Sequence, residues 1–518
     1  MISPSLAIVF ALAMPLLGCL TIWLLDKHPN LRDAATLITG VILLALTITI
    51  FLAVGEGQRP EYMLIEVIDG LPIAFEVEPL GALFAVIASG LWLVNSVYSI
   101  GYMRSGNEKH QTRFYMSFAV AISAAMGVAF ASNLFTLFIF YEVLTLSTFP
   151  LVTHKGDDAA RKGGRIYLGV LMATSIGLLL PAIVWTYAIT GTTDFTVGGI
   201  FAEHSDAVAP ITGVLLGLYA FGIGKAALMP VHPWLPNAMV APTPVSAFLH
   251  AVAVVKAGVF SILKIVIYIF GIDHLTITGA SIPFMWIAAI SILLASAIAM
   301  NKDNLKARLA YSTVSQLSYI TLGAMLATQM GVMGGALQIA AHALGKMTLF
   351  MCAGAIYVAH HKTLISEMRG LGRVMPFTFG AFFLGAMSIV GLPPMAGSWP
   401  KFFLMLGAAD AGQLAFIAVL MISSILNVIY LLSIPVQAWM KPPAGVSAPL
   451  EQDWYAGALF DGREGALSVD HRPAIREAPI LCLIPIGLTA AGVLLLFFFV
   501  GALETFLAPI LWTAQVTP

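Results

Sequence analysis

Five ionisable residues lie within largely apolar sequence between Ile211 and Tyr268, and together they indicate ion movement through a membrane. They are Lys225, His232, His250, Lys256 and Lys264. A charged side chain at membrane depth costs about 2.5–3.5 kcal/mol on insertion scales, so each one needs a partner or a function. The same stretch contains Pro230, Pro233, Pro236, Pro242 and Pro244. A helix that proline breaks inside the bilayer exposes backbone groups, which only protein or a watery cavity can satisfy.

Four further residues extend this set. Glu142 lies in the apolar run FTLFIFYEVLTLSTFPLV, and Lys401 follows Pro393 in a second proline-broken run. His342 and Lys346 are four residues apart, so they share one face of a helix and form a credible proton relay. Glu142 is the one obvious acidic partner at depth for five lysines, so ion pairing cannot account for all of them. Buried groups that change protonation state can carry protons.

Structural explanations compete with this interpretation at each position. Glu142 could be an interfacial carboxylate, and Lys225 and Lys264 could extend their ammonium groups to the membrane surface. His342 could be a hydrogen-bonded core histidine, His232 a hinge residue, and Lys401 a purely structural lysine. Lys256 is the strongest candidate because it lies near the middle of its apolar run. His250 and Lys256 are six residues apart, which places them about 120° apart around a regular helix.

Composition identifies a polytopic membrane protein. The 518 residues are 59% hydrophobic and 10% charged, whereas soluble domains carry about 25% charged residues. The three cysteines show no metal-ligand spacing, so neither a disulfide nor a metal site is predicted. No glycine-rich phosphate loop or nucleophile motif is present, and the basic residues are too dispersed for nucleic-acid binding. We therefore predict no cofactor and no enzymatic activity on this chain.

Apolar runs predict about 14 membrane-spanning helices. Of the 25 lysine and arginine residues, five lie within predicted spans, Arg59 lies in a loop on one side, and 19 lie in loops on the other. The positive-inside rule makes the latter side cytoplasmic and places both termini outside. Residues 441–477 are predicted to form a cytoplasmic loop, and residues 501–513 a tail of the last helix.

Two proline-broken spans, the seventh and the twelfth, lie five spans apart and therefore cross the membrane in opposite directions. Oppositely oriented broken helices at matching positions are typical of inverted repeats. The predicted division is residues 1–110 (spans 1–3), 111–270 (spans 4–8), 278–440 (spans 9–13), 441–477 (loop) and 478–518 (last span and tail). The fold class is thus an all-α polytopic membrane protein with two inverted five-helix repeats and broken helices 7 and 12.

Several motifs resemble the antiporter-like proton-translocating subunits of membrane complexes. They are FYEVLTLSTFPLV, GIGKAALMPVHPWLPNAMVAPTPVSAFLHAVAVVKAGVF, NLKARLAYSTVSQLSYI, AAHALGKMTLFMCAGAI and VGLPPMAGSWPKFFL, within residues 70–440. The resemblance implies a hydrophilic axis along the middle of the membrane. It also implies that Glu142 pairs with Lys225, that Lys256 connects the halves and that Lys401 ends the path. His250, His342 and Lys346 would lie near this axis.

Within that family, a lysine on span 12 resembles the D subunit of Mrp-type monovalent cation/proton antiporters and some complex I subunits, but not the complex I subunit with glutamate there. We therefore expect proton exchange for Na⁺ or K⁺ in a bacterial inner membrane, with other membrane subunits as partners. The alternative is a proton-pumping subunit of a redox complex, such as complex I or a membrane-bound hydrogenase. A proton-coupled partner of another uptake system also stays open.

Overall fold

A computed structural model describes residues 3–68, 70–442 and 475–511, with only the backbone at His250, and within these residues eleven helices are long and apolar enough to cross a membrane. The shorter helices Thr212–Gly222 and Pro376–Val390 and the more polar helix Leu305–Met325 occupy the positions of predicted spans 7, 12 and 10, and the helices carry the numbers of the fourteen predicted spans. Spans 1 to 6 are Pro4–Leu24, Pro29–Gly55, Pro79–Ser105, Gln111–Phe130, Leu134–Val152 and Asp158–Thr190. Span 7 begins with Thr212–Gly222, and span 8 is Thr243–Phe270. Spans 9 to 11 are Ile282–Met300, Leu305–Met325 and Gln329–His360. Span 12 begins with Pro376–Val390, and spans 13 and 14 are Ala415–Met440 and Ile480–Phe498. The predicted all-α polytopic fold is confirmed.

Spans 7 and 12 are broken, as predicted. In span 7, the helix Thr212–Gly222 is followed by the single turn Gly224–Ala226 and, after an irregular stretch, by Trp234–Asn237 and Ala238–Val240. In span 12, the helix ends at Val390 and resumes as Ser398–Asp410. Proline has no amide hydrogen and its ring clashes with the preceding turn, so PVHPWLP and LPP cannot continue a helix. The division into two inverted repeats at the boundaries given above stays a prediction.

Span 8 has an additional break that the sequence did not reveal. The helix Thr243–Ala251 ends before Val252, and a second helix, Val254–Ile265, follows. His250 and Lys256 therefore lie on different helical segments, and the 120° separation of a regular helix does not apply to them. Spans 6, 8 and 13 also contain π-helical turns at Ser175–Leu179, Val266–Phe270 and Val428–Leu432. Such turns often lie near functional sites.

The loop between spans 2 and 3 forms a β-hairpin, which was not predicted. Strand β1 (Glu61–Ile68) pairs antiparallel with β2 (Leu71–Glu76), with register shifts along the ladder. Gly70 lies in the turn with φ +81°, a backbone conformation that glycine adopts without steric cost. The alternating apolar residues of β2 nevertheless fit the pattern of a half-buried strand.

The predicted C-terminal tail is a separate short helix. Span 14 ends at Phe498, and Val500–Leu507 then forms an α-helix that continues as the turn Ala508–Leu511. Phe506 stacks on Phe51 of span 2 with ring centroids 4.0 Å apart. Most of the predicted loop 441–477 lies outside the described residues, since only residues 441–442 and 475–477 are included.

Spans 8 and 11 form the centre of the molecule. The apolar window of span 8 is 100% buried and that of span 11 is 94% buried, against 33% for spans 1 and 14. The outer helices instead expose large apolar side chains, such as Leu17, Trp23 and Leu52, as helices in contact with lipid do. Polar residues on spans 8 and 11 are therefore shielded from lipid by the surrounding helices.

Candidate functional site

Lys225 lies in the break of span 7 and is fully buried against span 5. Its Nζ donates to the carbonyl oxygen of Tyr141 at 2.8 Å and to Oγ1 of Thr145 at 2.5 Å. The same ammonium lies 3.0 Å from the centroid of the Tyr141 ring. The Tyr141 hydroxyl in turn accepts the backbone amide of Lys225. The irregular backbone of span 7 is thus satisfied by the neighbouring helix, as burial at membrane depth requires.

Glu142 does not form the direct ion pair with Lys225 that the resemblance implied. No nitrogen–oxygen contact within 4.0 Å joins these two described side chains. Both carboxylate oxygens of Glu142 are buried and lack a hydrogen-bond partner among the residues that the structure describes. Glu142 still lies close enough for its charge to act on Lys225 and on the Tyr141 hydroxyl. The hydrogen-bond partners of Lys225 are instead two neutral oxygens, because these lie closer to its Nζ than the Glu142 carboxylate does.

Lys256 and His342 meet at the centre of the molecule. The Nζ of Lys256 lies 2.9 Å from Nδ1 of His342, and both side chains are buried. The second ring nitrogen of His342, Nε2, is buried without a hydrogen-bond partner among the described residues. One of these two nitrogens donates a hydrogen and the other accepts it, so the contact places a single proton between two basic groups.

Lys346 lies one helical turn beyond His342 on span 11, as the spacing predicted. Its Nζ donates to the carbonyl oxygen of Leu309 on span 10 at 3.1 Å, its charge acts on His342, and the charge of Lys256 acts on it. Three basic groups thus lie in one buried cluster, which we call the central cluster: Lys256, His342 and Lys346. Mutual repulsion disfavours full protonation of such a cluster.

Polar residues of span 10 form hydrogen bonds to the neighbouring helices. The Nε2 of Gln338 on span 11 donates to Oε1 of Gln316 at 2.8 Å, and the hydroxyls of Ser296 on span 9 and Ser315 are 3.1 Å apart. The remaining amide atoms, Nε2 of Gln316 and Oε1 of Gln338, are buried without partners among the described residues. Buried polar atoms of this kind are generally satisfied by ordered water when protein supplies no partner.

Lys401 lies on the second half-helix of span 12 and contacts the end of the first half-helix across the break. Its Nζ donates to the carbonyl oxygen of Val390 at 2.6 Å and to Oγ of Ser424 at 2.9 Å, and it lies 5.2 Å from the Tyr319 ring centroid. Val390 is the last residue of the first half-helix. A cation at the C-terminal end of a helix is stabilised by the helix dipole. The side chain is 5% exposed, so it does not reach the membrane surface.

Lys264 has an acidic partner that sequence reasoning missed. Its Nζ lies 3.1 Å from Oε1 of Glu78 and donates to the carbonyl oxygen of Ala131 at 2.6 Å. Glu78 also caps span 3 by accepting the amide of Gly81. Lys264 is 1% exposed, so it does not extend to the surface, and Glu142 is not the only buried acid opposite a lysine. Next to the pair, burial raises the pKa of the Glu76 carboxyl, while Lys264 and Arg59 oppose that shift.

The two remaining candidate histidines, His232 and His250, lie in spans 7 and 8. His232 is half-buried in the break of span 7, with its ring centroid 6.2 Å from that of Tyr311 on span 10. Its Nδ1 is buried without a hydrogen-bond partner among the described residues. His250 occupies the last turn of the helix Thr243–Ala251. Its side chain is outside the described part of the structure.

The partners that hold the lysines were difficult to find from sequence. Tyr141 and Thr145 are four residues apart and therefore share one face of span 5. This spacing was the available sequence signal for a polar face on that helix. Ser424 and Tyr319 come from helices that are distant in the chain. Carbonyl oxygens of Val390, Ala131 and Leu309 carry no sequence signal at all, because any residue type supplies one.

A cavity of about 370 Å³ opens beside the first half of span 8, at the face carrying the lysine- and arginine-rich loops, which we call the basic face. It is lined by residues including Lys155, Thr243, Lys306 and Lys362. The Nζ of Lys306 donates to the carbonyl oxygen of Ala241 at 2.6 Å. The helix Thr243–Ala251 leads from this cavity toward Lys256.

Comparisons with known proteins place this arrangement in a family. Residues 131–427 match the model described as "NADH:quinone oxidoreductase/Mrp antiporter, TM", and residues 68–115 match "NADH-Ubiquinone oxidoreductase (complex I), chain 5 N-terminus". NADH-quinone oxidoreductase subunit N of Desulforudis audaxviator is 29% identical over 475 residues, covering 90% of this chain and 88% of that protein. NAD(P)H-quinone oxidoreductase chain 5 of Synechocystis is 31% identical over 64% of this chain, and this chain matches about half of that protein, 49%.

A solved structure shows the same fold. A chain in the structure of the Mrp complex from Dietzia sp. superposes with a TM-score of 0.79 at 24% sequence identity, covering 97% of both chains. Because the first family model matches more than half of the sequence, the relationship is independent of any single relative. The chain belongs to the family of antiporter-like membrane subunits that NADH:quinone oxidoreductases and Mrp antiporters share.

Proposed function

We propose that this chain translocates protons along a buried axis that joins the two broken helices. The observation that carries the proposal is the contact between Lys256 and His342, which holds two basic groups 2.9 Å apart at the centre of the protein. A proton on Nζ or on Nδ1 satisfies the same hydrogen bond, so the contact itself is a transfer step. The unpartnered Nε2 of His342 provides the second atom through which a proton leaves the ring.

In this proposal, the charge of Glu142 controls whether Lys225 holds its proton. Glu142 acts on Lys225 through space, and both of its carboxylate oxygens are buried without a hydrogen-bond partner among the described residues. The second half of span 8 packs directly on the Lys225 break, where Gly258 meets the backbone of Lys225 and Ala226. A change at Glu142 would shift the proton on Lys225, and Lys256 would pass it on to His342 and Lys346.

Lys401 is the proposed end of the axis. Spans 10, 11 and 13, which connect the central cluster with Lys401, contain buried polar atoms without partners among the described residues: Nε2 of Gln316, Oε1 of Gln338 and Nδ2 of Asn427. The Tyr319 ring lies beside Lys401, with its centroid 5.2 Å from Nζ. Buried polar groups in proteins are generally satisfied by protein or by ordered water. We assign these polar atoms to bridging waters that carry protons between His342 and Lys401.

Protons reach the axis from the basic face in this proposal. The cavity beside Thr243 leads along the helix Thr243–Ala251, whose last turn contains His250, to Lys256. Lys264, paired with Glu78 just after strand β2, lies toward the opposite face and is the candidate connection to that face. His232 is the candidate that connects the break of span 7 to span 10.

The driving reaction is assigned to partner subunits. One relative that aligns over 90% of this chain is a subunit of an NADH-quinone oxidoreductase, which favours redox-driven pumping. Lys401, a lysine rather than a glutamate on span 12, is compatible with the predicted Na⁺ or K⁺ antiport and also with some complex I subunits. Both functions require other membrane subunits. The distribution of lysine and arginine supports a bacterial inner membrane location with both termini on the periplasmic side.

Proton flux in inside-out vesicles separates these functions. The complete gene cluster would be expressed in a host that lacks its own antiporters, with Lys225→Met as the test and the exposed Lys162→Met as the matched control. Flux that responds to Na⁺ or K⁺ and is lost only in Lys225→Met supports antiport. Flux that requires an electron donor and is lost only in Lys225→Met supports redox pumping. Flux that survives Lys225→Met under both conditions contradicts proton translocation through this axis.

A further inference from the structure

Two adjoining depressions lie where spans 1, 4 and 5 meet the basic face, away from the buried axis. The first is an apolar groove of about 470 Å³ whose lining includes Cys19, Trp23, Met116 and Val120. The second is a polar basin of about 790 Å³. Asp26, Thr112 and Arg113 line both, so the groove and the basin are continuous.

The groove lies at the depth of the lipid acyl chains, and the basin lies at the level of the lipid headgroups. Trp23 is 58% exposed at the end of span 1, and tryptophan is enriched at the level of lipid headgroups. Below it, the apolar lining faces the hydrocarbon side of span 4. The basin above it is lined by the ends of spans 2, 3 and 4 that face this side and by the loops between spans 1 and 2 and between spans 3 and 4. A ligand that fills both must be amphiphilic.

The basin carries a fixed and nearly balanced set of charges. Asp33 is buried between two guanidinium groups, those of Arg32 and Arg104, which leaves a net positive charge in this network. Arg113 donates to the carbonyl oxygen of His154 at 3.1 Å and keeps its other donors open. A phosphate would be attracted here, and the N-terminus of span 4, which His110 does not cap with its side chain, adds to the attraction.

Two carboxylates balance these cations within the same basin. Asp26 and Glu108 both line it, and neither takes part in an ion pair among the residues that the structure describes. An anionic ligand with no positive group would face their repulsion. A ligand that carries both a phosphate and an ammonium group complements the arginines and the carboxylates together.

We propose that the groove and basin bind one zwitterionic phospholipid whose headgroup carries a primary amine, as in phosphatidylethanolamine. The phosphate lies beside Arg113 and Arg104, the ammonium donates hydrogen bonds to Asp26 and Glu108, and an acyl chain fills the groove beside Trp23. The N–H donors matter because a trimethylammonium headgroup has the same charge but donates no such hydrogen bonds. The site is independent of the proton axis.

Native mass spectrometry of the purified full-length chain measures lipid retention directly. Wild type is titrated with palmitoyl-oleoyl phosphatidylethanolamine, phosphatidylcholine or phosphatidylglycerol. We expect the ethanolamine lipid to bind most tightly. Arg113→Gln should weaken it by about tenfold, as expected for one charge-assisted hydrogen bond, while Arg161→Gln, at another exposed arginine of this face, should leave binding unchanged. Ser117→Trp, within the groove lining, should block the acyl chain.

The double variant Asp26→Asn/Glu108→Gln tests the amine. It should remove the preference for ethanolamine over choline without abolishing lipid binding. Tighter binding of the phosphatidylglycerol lipid in wild type would overturn the zwitterionic assignment, and equal retention by Arg113→Gln and Arg161→Gln would overturn the site. Displacement of the lipid by inorganic phosphate alone would identify a free anion site instead.

Cys19 reports on the groove in the assembled complex, in the membrane. The other two cysteines are buried, so a lipid-soluble maleimide should label Cys19 and not the Cys19→Ser variant. Added phosphatidylethanolamine should slow this labelling in wild type and not in Ser117→Trp. Complete protection in every lipid would show that a partner subunit, and not a lipid, covers the groove.

Discussion

Gly258 of span 8 packs against the backbone of Lys225 so closely that a β-carbon at position 258 would lie 2.5 Å from the Lys225 carbonyl carbon. This contact joins the lysine in the break of span 7 to the helix that carries Lys256. The neighbouring atoms are backbone, which cannot move aside as a flexible side chain can. The spacing between the first two lysines of the axis therefore depends on the absence of one methyl group.

Gly258→Ala should separate the two helices and reduce proton flux. Overpacking in a tight interior costs about 1–3 kcal/mol, so the melting temperature of the purified protein should fall together with the flux in vesicles. Gly169→Ala is the matched control because a β-carbon there meets no atom within 4 Å. Unchanged flux in Gly258→Ala would show that this close approach does not set the path.

The Lys256–His342 contact predicts a different pattern for substitutions. His342→Phe fills the space but leaves Nζ of Lys256 without its nitrogen partner, so proton flux should fall by about a hundredfold, the lower end of the effect of losing a positioned acid–base group. His342→Lys keeps a titratable nitrogen and should retain more flux than His342→Phe. His28→Gln, at an exposed histidine, serves as the control. Equal flux in the phenylalanine and lysine variants would exclude a proton-transfer role for this side chain.

The energetic cost of placing charge in apolar sequence made the main residues of this site predictable, but their hydrogen-bond partners could not be predicted. Lys225, Lys256, Lys346 and Lys401 stood out because charge is expensive in apolar sequence, and all four are buried. The broken spans followed from proline chemistry. The break in span 8 did not, because Val252 and Ala253 contain no helix-breaking signal and tertiary packing decides their conformation.

Glu78 escaped notice for a related reason. It precedes Pro79 at the start of span 3, where an acidic residue has an ordinary explanation as a helix cap. Only the fold brings Lys264, far away in the chain, to the same place. The separation of Lys225 from Glu142 was equally hidden, because spacing along helices says which faces residues share but not which oxygen a lysine finally contacts.

Thr145→Val should weaken the hold on Lys225 without changing side-chain volume much. The substitution removes an acceptor 2.5 Å from Nζ and leaves the Tyr141 carbonyl oxygen as the remaining hydrogen-bond partner. A hydrogen bond to a charged group contributes about 1.5–3 kcal/mol, so the Lys225 side chain should be held less firmly in the break and the proton flux in vesicles should fall. Thr49→Val is the control, since the hydroxyl of Thr49 donates to the carbonyl oxygen of Ala45 in its own helix. Equal flux in both variants would contradict a controlling role for Lys225.

The Glu78–Lys264 ion pair predicts strong coupling in a double-mutant cycle. Removing one partner of a buried pair leaves an uncompensated charge and costs about 3–5 kcal/mol. Glu78→Gln and Lys264→Met should therefore each lower the melting temperature in detergent by several degrees. The double variant should recover part of the loss because it leaves no unpaired charge. The exposed Glu61→Gln controls for removing a carboxylate from the same region. Strictly additive losses in the double variant would mean that the two side chains stabilise the fold independently, and that the 3.1 Å contact contributes no pairwise energy.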